Sequence, residues 1–186
     1  MTTQRRFAAF KKAVEAPRMR EIPDGGLCLS VFLAISRTGR PTEILLGRLN
    51  TDAPWDHIGA LDKARVERHS KGWMLPSSHL ILGESPNEAA KRVLIEQLGL
   101  ADQPLNGPLV FSEVYDVAAT SEKGHWDIEF VFQGERDEAP SHWVWRELKF
   151  VNVAATKREE FARGHEDILS HINGASPNET SNGLKD

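Results

Sequence analysis

A chain of 186 residues is long enough for one well-packed domain, and its 40% hydrophobic and 27% charged content is that of an ordinary globular protein. A net charge of −4 with both signs interspersed excludes the basic footprint of a protein that grips nucleic acid. No apolar run has the length of a membrane-crossing helix, and one cysteine, Cys28, makes no internal disulfide, which fits a reducing cytoplasm.

The first sixteen residues, MTTQRRFAAFKKAVEA, lack the apolar core and cleavage site of a secretory signal. They predict a short amphipathic helix over 7–14 that stops before Pro17, so residues 1–20 read as a helical extension to a domain at 21–172. Residues 27–36 form a continuous apolar run with the length and residue types of a buried strand, in which Cys28 reads as a small buried hydrophobe. A turn, RTGRPTE, leads to a second strand over 44–49 and hence a hairpin. Residues 50–70 are polar and mixed, with a helical turn or two over 55–68; inserted segments of this kind often shape binding sites.

Ser85, Pro86 and Glu88 make a strong helix start, a capping serine with a first-turn proline and a glutamate three residues on. That helix is expected to run to about Leu98 and stop at Gly99. Strands follow over 109–118 and 126–132, joined by AATSEKGH, then a strand in HWVWRELKFVNV and a helix over 157–172. The tail, 173–186, has the composition of a disordered segment. This order predicts an α/β domain with a mixed sheet packed between helices.

The densest signal lies in WMLPSSHLILGESPNEAAKRVLIEQLGL, from Trp73 to Leu100. It resembles the Nudix box, G-x5-E-x7-R-E-U-x-E-E-x-G-U, where U is bulky and aliphatic. Glu84, Arg92, Leu94, Glu96, Gly99 and Leu100 match in register, whereas Ser78 replaces the leading glycine, Val93 the first glutamate after the arginine, and Gln97 the last glutamate. The box covers residues 78–100, and the order of strands and helices extends the resemblance over 26–172.

The resemblance implies a Nudix-type α/β/α sandwich with a mixed central sheet. It also implies a pyrophosphohydrolase acting on a nucleoside diphosphate linked to another moiety, dependent on Mg2+ or Mn2+. Family members are often dimers, so a homodimer is a further implication. Cleaving a pyrophosphate needs divalent cations held by hard oxygen ligands and a base that activates water. The E-x-x-E-E pattern would place three carboxylates on one helix face, and here those positions are Val93, Glu96 and Gln97. Valine ligates nothing and glutamine offers only a neutral carbonyl. The chain therefore reads either as a hydrolase with weakened or relocated catalytic groups or as an inactive nucleotide-binding or regulatory module. By the resemblance, Glu84 and Glu96 would bind metal and Arg92 would position a box carboxylate by a bidentate ion pair. Glu122, Glu129 and Glu166 are candidates for a displaced base.

Blander readings stand beside these. Glu84, Glu88, Arg92 and Glu96 recur as the ion pairs of an exposed helix face do, and Val93 extends an apolar stripe with Ala89, Ala90, Leu94 and Leu98. The five tryptophans read as core, although Trp73 belongs to the box entrance and Trp55 could stack on a nucleobase or nicotinamide ring, which makes both candidate substrate contacts. The seven histidines show no HxH or HxxxH spacing. His165, Glu166 and Asp167 resemble a segment of relatives acting on nucleoside diphosphate sugars, and otherwise read as a solvated helix face.

Overall fold

The computed structural model describes residues 26–81, 83–115, 125–162 and 164–172. The helix expected over 7–14, Glu122 and the tail 173–186 lie outside the described residues.

The apolar run at 27–36 becomes β1 (Gly26–Arg37), the middle strand of a six-stranded mixed sheet. β2 (Arg40–Leu49) returns beside it through a tight turn at Gly39, whose φ is 71°. The sheet order is β4-β5-β1-β2-β6, where β4 is Asn106–Tyr115, β5 His125–Arg136 and β6 Trp145–Asn152. A short strand, β3 (Ser77–His79), pairs with β1 off this path. β1 and β5 run parallel and in register from Gly26↔His125 to Arg37↔Arg136, while the other pairs are antiparallel.

Alternation along β1 sorts the two faces of the sheet. Val31, Leu33 and Ile35 pack with Ala89, Ala90 and Val93 of α3 (Pro86–Val93). Ala34 packs on the other face with Val131 and with Ile168 and Leu169 of α4 (His165–His171). Helices thus cover both faces, and the architecture is an α/β/α sandwich. α3 continues as a π turn, Leu94–Leu98, that ends at Gly99 with φ 67°.

Residues 50–70 carry two short helices, α1 (Trp55–Ile58) and α2 (Lys63–His69). A third apolar cluster, including Trp55, Ile58, Val66, Met74 and Trp145, fixes them beside the sheet. Asp62 caps α2 by accepting the Arg65 N–H at 2.9 Å. The Trp145 ring presses so closely on β2 that a Cβ at Gly47 would sit 2.2 Å from it, which is why that position tolerates only glycine.

Three expectations are corrected here. The single helix over 157–172 is divided: a 3-10 turn (Arg158–Glu160) leads to an extended step at Phe161, which bridges to Trp73, and α4 begins only at His165. Backbone bonds cause the break, since Trp73 N–H donates to Glu160 O, Ala162 N–H donates to Trp73 O, and Gly164 turns the chain at φ 89°. Trp126 and Trp143 are 51% and 62% exposed rather than core. Trp143 precedes β6 in a turn, and Trp126 near the start of β5 donates its indole N–H to the Ser112 hydroxyl. His165 and Glu166 are buried rather than on a solvated face, because α4 lies against the sheet. No helix among the described residues is long and apolar enough to cross a membrane.

Candidate functional site

The Ser85 hydroxyl accepts the Glu88 N–H while the Glu88 carboxylate accepts the Ser85 N–H, so the helix start is fixed from both sides. Glu84 immediately precedes this cap, and its Oε2 accepts the Ile81 N–H at 2.9 Å. Arg92, two turns along the helix, reaches back with Nε 2.7 Å from Glu84 Oε1 and Nη2 2.8 Å from Oε2. The same guanidinium donates to the His79 carbonyl at 3.0 Å and to the Ser78 hydroxyl at 3.3 Å. This bidentate pair, largely buried, ties the loop before the helix to β3. Glu96 approaches Arg92 Nη1 at 3.6 Å and remains partly exposed.

Val93 is fully buried against the sheet. Gln97 is fully buried as well, and its amide behaves like a short piece of strand. Oε1 accepts the Ser77 N–H at 3.1 Å, and Nε2 donates to Ser77 O at 2.6 Å and to Ile58 O at 3.3 Å. A glutamine suits this place because it offers both an acceptor and donors to a backbone, whereas a carboxylate offers only acceptors. The Gln97 carbonyl also accepts the Trp145 indole N–H at 2.8 Å.

Gln97 borders a cavity of about 120 Å³ whose walls come from β1, β3, β5, residues 50–70 and the start of α4. The parallel register sets Cys28 beside Asp127 and Ser30 beside Glu129, and the antiparallel register sets Ser30 beside His79. His79 Nδ1 lies 3.0 Å from Ser30 Oγ and 3.2 Å from Cys28 Sγ. Burial, followed by the charge of Asp127, pushes the Cys28 thiol well above its usual range, so it stays protonated.

Glu129 is 2% exposed, and its Oε2 has no hydrogen-bond partner among the described residues. Burial, reinforced by the negative charges of Glu113, Asp127 and Asp167, pushes its pKa up to about 8. At neutral pH it is therefore a carboxylic acid with a proton to donate. His165 is moved the other way: burial lowers it to about 3. Its neutral ring accepts the Leu75 N–H on Nδ1 at 3.1 Å and so carries its own proton on Nε2. The remaining wall is largely apolar, from Phe32, Trp55, Leu61, Met74 and Trp145, with Arg65 and Arg68 contributed by α2.

The candidates named from the sequence are distributed unevenly around this cavity. Trp55 borders it, with its indole N–H on Asn50 O and its ring edge-on to Trp145 at 4.9 Å. Trp73 is buried away from it, beneath the Arg48 guanidinium at 4.3 Å. Glu166 lies outside the wall, 3.6 Å from Arg158, with burial raising its pKa. Glu84, Arg92 and Glu96 also lie outside it. Among the carboxylates weighed as a displaced base, Glu129 reaches the cavity beside Gln97. His165, singled out in sequence beside Glu166, lines the cavity, whereas His79, Asp127 and Arg65 were not apparent from sequence. The one available signal was WDIEF, where two acids occupy alternate positions of an otherwise apolar strand.

A hard divalent cation needs several carboxylate oxygens turned toward one point. Here Val93 supplies none, the Gln97 oxygen is committed to Ser77, and both Glu84 oxygens are held by Arg92, with Ile81 on the second. Among the described residues no group of three or more His, Cys, Asp or Glu could hold a metal ion. Glu96 adds one partly exposed carboxylate, and the described residues do not otherwise assemble the ligand set that Mg2+ or Mn2+ takes.

No family model and no curated protein matches the chain. Solved structures do. The MutT Nudix hydrolase from Burkholderia pseudomallei superposes with a TM-score of 0.53 at 17% identity, covering 78% of this chain and 98% of that one. A bifunctional NMN adenylyltransferase/ADP ribose pyrophosphatase from Francisella tularensis gives 0.48 at 14% identity, covering 80% of this chain and 40% of that one, so the chain spans about two fifths of that protein. The Nudix domain of Shewanella oneidensis NrtR, solved with ADP ribose, gives 0.44 at 13%, covering 69% and 74%. At these identities the likeness is one of chain path, and the likeness to the Burkholderia protein joins the sheet order and the capped box helix in showing that this chain has the Nudix fold.

Proposed function

We propose that this chain is a nucleotide-binding Nudix domain that receives part of a nucleoside diphosphate linked to another moiety and holds it without hydrolysing it. The observation that carries this reading is Gln97, whose amide is spent on the backbone of β3 and α1 at the place where the box would present a metal-binding carboxylate. The survival of Glu84 and Arg92 does not argue for catalysis, because their pairing holds the loop, the helix and β3 together. The aromatic wall and the α2 arginines support a nucleotide as occupant.

Hydrolysis, with weakened or relocated groups, is the second reading, and Glu129 favours it: a neutral acid in the cavity could hand its proton to a leaving oxygen. The test is calorimetric binding and product analysis with ADP-ribose, NADH, dinucleoside polyphosphates and nucleoside triphosphates, with Mg2+ and with Mn2+. Saturable binding without product, unchanged in Glu96→Ala, is the expected result. Turnover abolished by Glu96→Ala would establish the hydrolase instead.

A further inference from the structure

We infer that the cavity seats an uncharged nitrogen heterocycle, a nucleobase or nicotinamide-type ring, which accepts a hydrogen bond from the Glu129 carboxyl group. The inference deepens the nucleotide-binding reading and rests on it. The cavity holds about 120 Å³, and roughly 150 Å³ is known to accommodate one benzene ring. A space of that order suits one small ring and not a whole dinucleotide. In its wall, Trp55, Trp145, Leu61 and Met74 suit the faces and edges of a ring.

One polar group of the wall is left over. Glu129 Oε2 is buried and lacks a hydrogen-bond partner among the described residues, a situation that costs stability unless something completes it. A ring nitrogen or exocyclic carbonyl is the complementary acceptor. A phosphate would instead bring negative charge to a wall already holding Asp127. The cations suited to phosphate, Arg65 and Arg68, come from α2, a different wall.

The groups around Glu129 bear on how the contact responds to pH. Glu113 from β4, Asp127 from its own strand and Asp167 from α4 add negative charge. Cys28 lies on β1, beside Asp127. His79 from β3, His165 from α4, and Arg65, Arg68 and His69 from α2 share the cavity. Raising the pH through the Glu129 value of about 8 removes the donated proton and adds another like charge, so ring affinity falls.

The test is calorimetric titration of the full chain with free adenine, hypoxanthine and nicotinamide. Ribose 5-phosphate and inorganic pyrophosphate serve as ringless probes, and ADP-ribose as the composite ligand. At least one free ring is expected to bind. Glu129→Leu should weaken it about tenfold or more, while Glu129→Gln, which still donates, should stay within about threefold. Wild-type affinity should fall between about pH 7 and 9 and the Gln variant's should not. If Glu129→Leu fails to fold, this loss of pH dependence in the Gln variant decides. Ring binding indifferent to Glu129→Leu overturns the proposal. So does ADP-ribose binding with no free ring bound, an outcome that leaves the nucleotide-binding reading intact. Binding of none of these probes sinks both.

Discussion

Glu129 and His165 carry opposite pKa shifts within one cavity, and each leaves a mark on stability. The Glu129 value rises from 4.5 to about 8 on folding, so between those values the native chain holds a proton that the unfolded chain has released. Each unit of rising pH in that window therefore costs about 1.4 kcal/mol, with no cost below it. Relative to wild type, Glu129→Gln should gain stability as the pH rises from about 4.5 to 8, measured by urea unfolding across a pH series. A difference that stays constant with pH would contradict this. His165, lowered from 6.5 to about 3, works in the opposite sense: stability is lost as the pH falls through that window, because only the unfolded ring takes up a proton. Val93 supplies a second prediction at this scale. Writing the missing box glutamate back as Val93→Glu puts a carboxylate into a fully buried site and should destabilise the fold by about 3 kcal/mol or more without producing turnover. Thermal melts and product analysis check both halves.

The box helix is held at both ends, and the two attachments differ in kind. The Ser85–Glu88 cap is exposed and reciprocal, and Ser85→Ala should cost about 1 kcal/mol. The Glu84–Arg92 pair is largely buried, so Arg92→Ala leaves a carboxylate stranded and should cost about 3 kcal/mol. The double variant Glu84→Gln/Arg92→Met should be less destabilised than Arg92→Ala alone, a comparison made by chemical denaturation. If the single and double variants were equally destabilised, the pair would matter through packing and not charge. The helix start was legible in sequence because Ser85, Pro86 and Glu88 act locally, and its end because Gly99 adopts a left-handed backbone there. The division of residues 157–172 was not legible, since the bonds from Trp73 to Glu160 and Ala162 join segments some ninety residues apart. Trp126 and Trp143 misled for a related reason: their size favours burial, but no element among the described residues covers those two positions.

On the scale of the whole molecule, a mixed sheet packed between helices could be read along the chain from its apolar strands and capped helix, whereas the sheet order could not. Nor could the cavity. It depends on the parallel register of β1 and β5, which brings Ser30 to Glu129 across ninety-nine positions, and on residues 50–70 folding over the result. If the box cannot hold a divalent cation, adding Mg2+ or removing it with EDTA should shift the melting temperature by less than about 1 °C, because only a ligand of the native state raises it. A metal-dependent rise would show that residues outside those described complete a site. Gln97 has one more consequence. Its single amide fastens both Ser77 and Ile58, so the box helix holds β3 and α1 together like a latch. Moving α1 away from the helix means unfastening the Ile58 carbonyl from Gln97. The helix position that the box pattern would give to a metal ligand is here the catch of a door.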